Sequence, residues 1–149
     1  MVSAAKVRPY EPRDASAVLA LSEKYASWDV TPTLADLQGF HSQNPDLFYV
    51  AEADDKVVGF IYGREPNPPA ETLRKWKANK AGFIESLVVA EEHRRKGMAT
   101  ALLDKFFQAC RNMGIDLVSL TVPAEEGGAR KLYQKLGFAE RAYFLRKRL

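Results

Sequence analysis

Three basic residues stand directly before a glycine where an apolar-periodic segment begins. Arg94, Arg95 and Lys96 precede Gly97, and apolar residues recur at helical spacing over 97–114. A helix N-terminus has unpaired N–H groups and partial positive charge, and a glycine lets its backbone approach an anion closely. The segment therefore predicts an anion site suited to a pyrophosphate. The pattern is neither a P-loop nor a dinucleotide fingerprint, and a solvated basic turn capping a core helix is the alternative interpretation.

The elements that must position this turn alternate between strands and helices. Residues 47–65 are typical of two strands joined by a tight turn at Asp54–Asp55. We expect further strands at 5–9, 82–90, 116–122 and 138–149, and helices after Asp14, at 34–43, 97–114 and 128–137. The strand–helix–strand–helix–strand order of the second half implies a mixed sheet covered by helices.

Length and charge exclude several classes of partner. A chain of 149 residues is typical of one domain, so we expect a single domain over 1–149. The net charge of +3 is too small to argue for nucleic acid, and no apolar run or leader pattern indicates a membrane. The single cysteine, Cys110, predicts a buried helix residue in a reducing cytoplasm. No cluster has metal-ligand spacing, so we expect no metal.

Two motifs carry a resemblance to a known family. The stretch "RRKGMA" (94–99) resembles the Arg/Gln-x-x-Gly-x-Gly/Ala motif of the GNAT superfamily of acetyl-CoA-dependent N-acetyltransferases, and "LYQKLGF" (132–138) resembles its second signature. The resemblance implies an α/β (α+β) fold with a mixed, mostly antiparallel central sheet. About six to seven strands would be flanked by about four helices. A splayed parallel strand pair would bind coenzyme A.

The resemblance also implies how the cosubstrate acetyl-CoA is held. Its pantetheine arm would pair with strand backbone near Leu87–Val89, and its pyrophosphate would meet the N–H groups of Arg95–Thr100. The cofactor-binding residues carried over are Leu87, Val88, Val89, Arg94, Arg95, Lys96, Gly97, Met98, Ala99 and Thr100. Ala99 stands where a second glycine is commoner, which the motif allows.

The implied chemistry is acetyl transfer to a primary amine by direct attack in a ternary complex. A lysine-like amine with a pKa of about 10.4 is neutral roughly once in 2,500 molecules at pH 7, so a base helps. Glu85, inside the apolar run "FIESLVV", is the candidate base, and an ion pair near the sheet surface is the alternative. In the family, the tyrosine at the position of Tyr133 points at the coenzyme sulfur, so this residue is the candidate acid; a core aromatic is the alternative.

The sequence says least about which amine accepts the acetyl group. The form "RRKGMA" resembles protein N-terminal acetyltransferases, which favours a protein or peptide N-terminus. A small amine (polyamine, aminoglycoside or amino acid) and a non-catalytic coenzyme-A-binding module are the alternatives. Glu126 stands where many relatives have Asn, which puts that contact in doubt. Three interpretations stay open for Trp76, in the polar connection 64–82: a wall of the substrate site, a homodimer contact, or part of a mobile surface loop.

Overall fold

Five strands and five α-helices make up the part of the chain that the computed structural model describes, residues 6–25 and 31–149. The α/β class expected from the sequence is confirmed. In chain order the elements are β1 (Lys6–Pro9), α1 (Ala15–Tyr25), α2 (Leu34–Gln43), β2 (Phe48–Ala53), β3 (Lys56–Arg64), α3 (Ala70–Trp76), β4 (Ala81–Val89), α4 (Met98–Asn112), β5 (Leu117–Leu120) and α5 (Gly127–Lys135).

The sheet follows the chain in the order β1-β2-β3-β4-β5. The first three pairings are antiparallel and the last, between β4 and β5, is parallel. The predicted hairpin is confirmed, because β2 and β3 are joined through Asp54 and Asp55, whose φ angles are +52° and +61°. Two consecutive positive φ values give the turn the twist that a two-residue hairpin requires, and aspartate tolerates this conformation.

Each face of the sheet has its own apolar core. On one face α4 packs Leu102, Leu103 and Phe106, all fully buried, against residues such as Ile61 and Ile84. The alternate side chains of the same strands point to the opposite face. There they pack with α1 and α2; the buried members include Val18, Leu37, Phe48, Phe60 and Tyr62. The sheet is thus held rigidly between two helical layers.

The expected counts of strands and helices need correction. The connection 64–82 contains α3, a helix of seven exposed or half-buried residues that begins directly after Pro69. The strand expected at 138–149 is not formed: Tyr143 and Phe144 are 74% and 87% exposed. Glu140 accepts hydrogen bonds from Arg130 and Gln134 on α5, which hold the beginning of this segment against the helix.

Membrane-spanning helices and metal-ligand clusters are both absent from residues 6–25 and 31–149. None of the helices in 6–25 and 31–149 has the length and apolar composition needed to span a bilayer. The same ranges contain no group of three or more His, Cys, Asp and Glu side chains arranged to hold a metal ion. Cys110 is buried as expected, and burial raises the pKa of its thiol to about 11, so the thiol is not a nucleophile at neutral pH.

Candidate active site

A cleft opens where the two parallel strands separate. β5 pairs with β4 only from Ala81 to Ile84, whereas β4 continues to Val89. The splayed strand pair expected from the sequence is therefore present. Backbone groups of residues 85–89 on the β5 side have no strand partner, and they line a cleft of about 640 Å³ that also reaches α4 and α5. Unpaired strand backbone of this kind can bind an amide-containing ligand.

An irregularity in β4 positions Glu85 in this cleft. Tyr62 pairs with Ser86 and Gly63 pairs with Ile84, so Glu85 is an extra residue opposite no partner, a β-bulge. Gly63 makes the bulge sterically feasible, since a Cβ there would lie 2.2 Å from the carbonyl oxygen of Phe83. The bulge interrupts the alternation of β4, and the Glu85 carboxylate lies beside residues of β3.

The Glu85 carboxylate is paired with a cation. Nε of Arg64, at the end of β3, donates a hydrogen bond to Oε1 of Glu85 and forms an ion pair with it. The Glu85 side chain is 26% exposed, so it remains accessible from the cleft. Burial raises the pKa of the neighbouring Tyr62 to about 12, with a smaller contribution from the charge of Glu85. The expected alternative for Glu85, an ion pair, is therefore observed together with its access to the cleft.

Tyr133 reaches the same cleft from α5. Its ring packs edge-on against Phe138, with ring centroids 5.6 Å apart, and the residue lines the cleft. Burial raises the pKa of Tyr133 to about 12, and the charge of Glu126 adds to the shift. The phenol therefore keeps its proton at neutral pH. The hydroxyl has no hydrogen bond to another described residue, so it is available as a donor.

The N-terminus of α4 forms the other end of the cleft. Gly97 has a φ of +78° and provides no side-chain cap, so the N–H groups of the first helical turn are unpaired. A Cβ at Gly97 would meet nothing within 4 Å, which shows that the space before the helix is open. Arg95 also has a left-handed backbone, with a φ of +63°, a conformation that glycine adopts more easily than other residues.

Arg94 supports the turn before α4. Its Nε donates a hydrogen bond of 2.9 Å to the carbonyl oxygen of Val89, and its guanidinium lies 5.3 Å from the ring centroid of Tyr25. This side chain therefore joins the end of β4 to α1 as well as lining the cleft. The neighbouring Lys96 does not line the cleft, which places it apart from the other predicted cofactor-binding residues.

Most of the residues singled out from the sequence lie around one cleft. Those that line it are Glu85, Leu87, Val88, Val89, Arg94, Arg95, Gly97, Met98, Ala99, Thr100 and Tyr133. Glu126 also lines it, at the position that precedes α5. Sequence reasoning missed Arg64, because its contact with Glu85 depends on the register of β3 with β4 and on the bulge.

Comparisons with known proteins agree with this geometry. The chain matches the Acetyltransferase (GNAT) family over residues 15–138. The chain belongs to the GNAT acetyltransferase family. It is 32% identical over 123 residues to an N-alpha-acetyltransferase of Sulfurisphaera tokodaii, which covers 82% of this chain and 70% of the relative. The crystal structure of Ard1 from Thermoplasma volcanium has a TM-score of 0.78 at 28% identity, covering 93% of this chain and 85% of that one.

A human relative is matched over about half of its own length. N-acetyltransferase 8 of Homo sapiens is 31% identical over 116 residues, which is 77% of this chain and 48% of the relative, so the chain spans about half the length of that protein. The family match and the named relatives confirm the enzyme class expected from the sequence, an acetyl-CoA-dependent N-acetyltransferase.

Proposed function

We propose that this GNAT enzyme transfers an acetyl group from acetyl-CoA to the α-amine of a peptide or protein N-terminus, by direct attack in a ternary complex. One observation carries the proposal: a single cleft presents a carboxylate on β4, a protonated phenol on α5 and the uncapped N-terminus of α4. These are the groups needed to accept a proton from an amine, donate a proton to a thiolate and bind a pyrophosphate.

The residues around the cleft suit acetyl-CoA, which when bound supplies an activated thioester. The unpaired backbone of Leu87–Val89 would hydrogen-bond the pantetheine amides, as the splay of β4 from β5 exposes it. The N–H groups at Met98, Ala99 and Thr100 would bind the pyrophosphate, assisted by the charge of Arg95. Binding would rest mostly on backbone geometry.

Glu85 would act on the acceptor amine. Its Oε1 is held by Arg64, and its other oxygen is left to accept a proton from the attacking nitrogen, directly or through water. A carboxylate held by an ion pair is better placed for this than a freely rotating one, because it loses less conformational entropy when the amine binds. The proton removed in this step allows the nitrogen to form its bond to the thioester carbon.

Tyr133 would complete the transfer. The partly buried phenol of Tyr133 still carries its proton at neutral pH. As the carbon–sulfur bond breaks, its hydroxyl would donate that proton to the departing thiolate. A backbone N–H of β4 near Leu87 or Val88 would stabilise the negative charge that develops on the carbonyl oxygen.

An α-amine is the favoured acceptor for a chemical reason as well as by similarity. The archaeal relative is named for acetylation of an α-amine. An α-amine with a pKa of about 7.7–8.0 is neutral far more often at pH 7 than a lysine amine, so one carboxylate suffices as base.

Paired peptides test this function. Each peptide with a free N-terminus and no lysine is compared with the same peptide blocked at its N-terminus and containing one lysine, alongside a polyamine and an aminoglycoside. Thiol release from acetyl-CoA gives kcat/KM for each. We expect the free N-terminus to give the largest value. A larger value for blocked lysine peptides or for the small amines would overturn the choice of acceptor and leave the enzyme class intact.

A further inference from the structure

Arg64 stands beside the proposed base with part of its hydrogen-bonding capacity unused. We propose that Arg64 binds a carboxylate of the acceptor, so that this enzyme prefers amines that carry a carboxylate a few bonds from the reacting nitrogen. The inference rests on the proposed function, because it takes Glu85 as the group that receives the amine. The acceptors it favours are peptides with an acidic first residue; a free α-amino acid offers the same pair of groups and is tested beside them.

The guanidinium of Arg64 is held in a fixed orientation. Its Nε bonds to Glu85, and its Cζ lies 5.2 Å from the ring centroid of Phe83, the residue opposite it on β4. Nη1 and Nη2 have no hydrogen bond to any described residue, and the side chain is 45% exposed. The planar fork therefore presents N–H groups that match the two oxygens of a carboxylate.

Arg64 contacts Glu85 through Nε alone. Single contacts of this kind also join Arg13 to Glu11 and Arg130 to Glu140, so what distinguishes Arg64 is that its carboxylate partner lines the cleft. The nearby Lys80 differs, since its ammonium donates to the carbonyl oxygen of Met113 at 2.7 Å and pairs with Glu65 at 3.0 Å. Arg64 thus has unused donors, whereas Lys80 has two partners.

The surroundings of Arg64 also favour an anionic group. The connection 64–82 contains five basic and two acidic residues, so an acceptor that approaches over it meets net positive charge. Because Arg64 and Glu85 are in direct contact, one acceptor can reach both only if its amine and its carboxylate are separated by a few bonds.

Matched acceptors test the inference. Two peptides that begin Asp-Ala and Asn-Ala, otherwise identical and amidated at the C-terminus, differ only in the side-chain carboxylate. Glycine and glycinamide make the same comparison for a free amino acid, with kcat/KM expressed per neutral amine because the carboxylate raises the pKa of the glycine amine, so the two sources of the carboxylate are distinguished. Thiol release gives kcat/KM for each acceptor. The readout is the ratio within each pair, which a uniform change in catalytic rate does not alter.

Two variants test whether Arg64 causes the preference for a carboxylate. Arg64→Gln removes the charge and the fork, and Arg111→Gln removes the same charge from an exposed position in the last turn of α4, away from the cleft. We expect a preference of roughly 10-fold or more for the carboxylate in at least one pair, from charge-assisted hydrogen bonds. The ratio of kcat/KM values within that pair should fall to about one in Arg64→Gln and stay at the wild-type value in Arg111→Gln.

Three outcomes separate the possibilities. A wild-type ratio near one in both pairs, or a preference that survives Arg64→Gln, overturns the inference while acetyl transfer stands. If none of these amines releases thiol, the proposed function fails as well. Should Arg64→Gln not fold, Arg64→Lys, which keeps the charge and loses the fork, is expected to give a reduced preference, and an unchanged one would contradict recognition by the fork.

Discussion

Glu85 and Tyr133 reach the same cleft from different elements and for different physical reasons. Glu85 is an extra residue of a strand bulge and is held there by Arg64. Tyr133 lies on the partly buried stripe of α5, where it packs against Phe138. In the proposed function the accessible carboxylate of Glu85 would serve as the base and the protonated phenol of Tyr133 as the acid.

At the residue scale, we expect Tyr133→Phe to separate catalysis from packing. The substitution keeps the ring and its contact with Phe138 and removes the hydroxyl. If the hydroxyl donates a proton to the thiolate, kcat should fall by roughly 10²- to 10⁴-fold while the affinity for acetyl-CoA changes little. Single-turnover rates with saturating acetyl-CoA, together with calorimetric Kd values, measure the two effects. An unchanged single-turnover rate would leave Tyr133 with a packing role only.

The pH dependence gives a second check on the same residue. Burial raises the pKa of Tyr133 to about 12, above the ordinary value of 10.0, so the protonated acid persists over the whole working range. Ionisation of this phenol should therefore cause no loss of kcat between about pH 7 and pH 11. A loss of kcat with a midpoint near 10 that disappears in Tyr133→Phe would contradict the buried, protonated acid.

The candidate site residues differ in how far the sequence alone can predict that they come together. Gly97 and Tyr133 stand in motifs whose spacing is local, and Glu85 is visible as a charge within an apolar strand. Arg64 carries no such signal. Its partnership with Glu85 joins residues 21 apart through a strand register that a bulge has shifted, and neither period nor composition encodes that shift.

At the element scale, the bulge of β4 depends on Gly63. A side chain there would meet the Phe83 carbonyl oxygen and, at 2.6 Å, the Phe106 ring of α4. We expect Gly63→Ala to lower the free energy of unfolding by about 1–3 kcal/mol through overpacking and to reduce kcat by displacing Glu85. Urea unfolding and thiol release measure the two effects.

The control for this variant is another glycine to alanine change. Gly39 lies within α2, and a Cβ there would meet nothing within 4 Å. Gly39→Ala should raise stability by about 0.5–1 kcal/mol because a helical glycine has more conformational freedom to lose on folding. Equal stability changes in the two variants would contradict the close packing around Gly63.

The N-terminus of α4 provides a prediction about the cosubstrate. Gly97 has a left-handed backbone, which both Asn and Asp tolerate better than other residues. Gly97→Asp and Gly97→Asn therefore impose similar strain and differ in charge. We expect the Asp variant to lose at least about 10-fold more acetyl-CoA affinity than the Asn variant, since a carboxylate repels the pyrophosphate. Calorimetry measures both, and equal affinities would refute the phosphate site at this helix.

Elements with strong local signals were predictable, and weakly packed ones were not. The Asp54–Asp55 turn and the apolar stripe of α4 each have a local physical cause. α3 has only weak local signals, because it buries no residue and has no side-chain cap, and an acidic residue in its first turn, Glu71, is the one feature typical of a helix start. The alternation within 138–149 predicted a strand, but a strand forms only with a partner, and in the structure α5 holds Glu140 instead.

At the scale of the whole molecule, the cleft results from the divergence of the two parallel strands of the sheet. β4 is paired with β3 from Phe83 to Val89 and with β5 only from Ala81 to Ile84, and helices cover both faces. The cleft is therefore open because of how the strands diverge. Residues of β4, α4 and α5 line it, and all three elements contribute side chains to the same apolar core or pack against it.

The most direct measurement of the central claim is thiol release from acetyl-CoA in the presence of a peptide with a free N-terminus, comparing the wild-type enzyme with Glu85→Gln. Glutamine keeps an oxygen for Arg64 and cannot accept the amine proton. We expect thiol release to match acetylated peptide one for one, and kcat to fall by roughly 10²- to 10⁴-fold in the variant. Equal rates in the two proteins, or no release with any amine, would contradict direct transfer at this cleft.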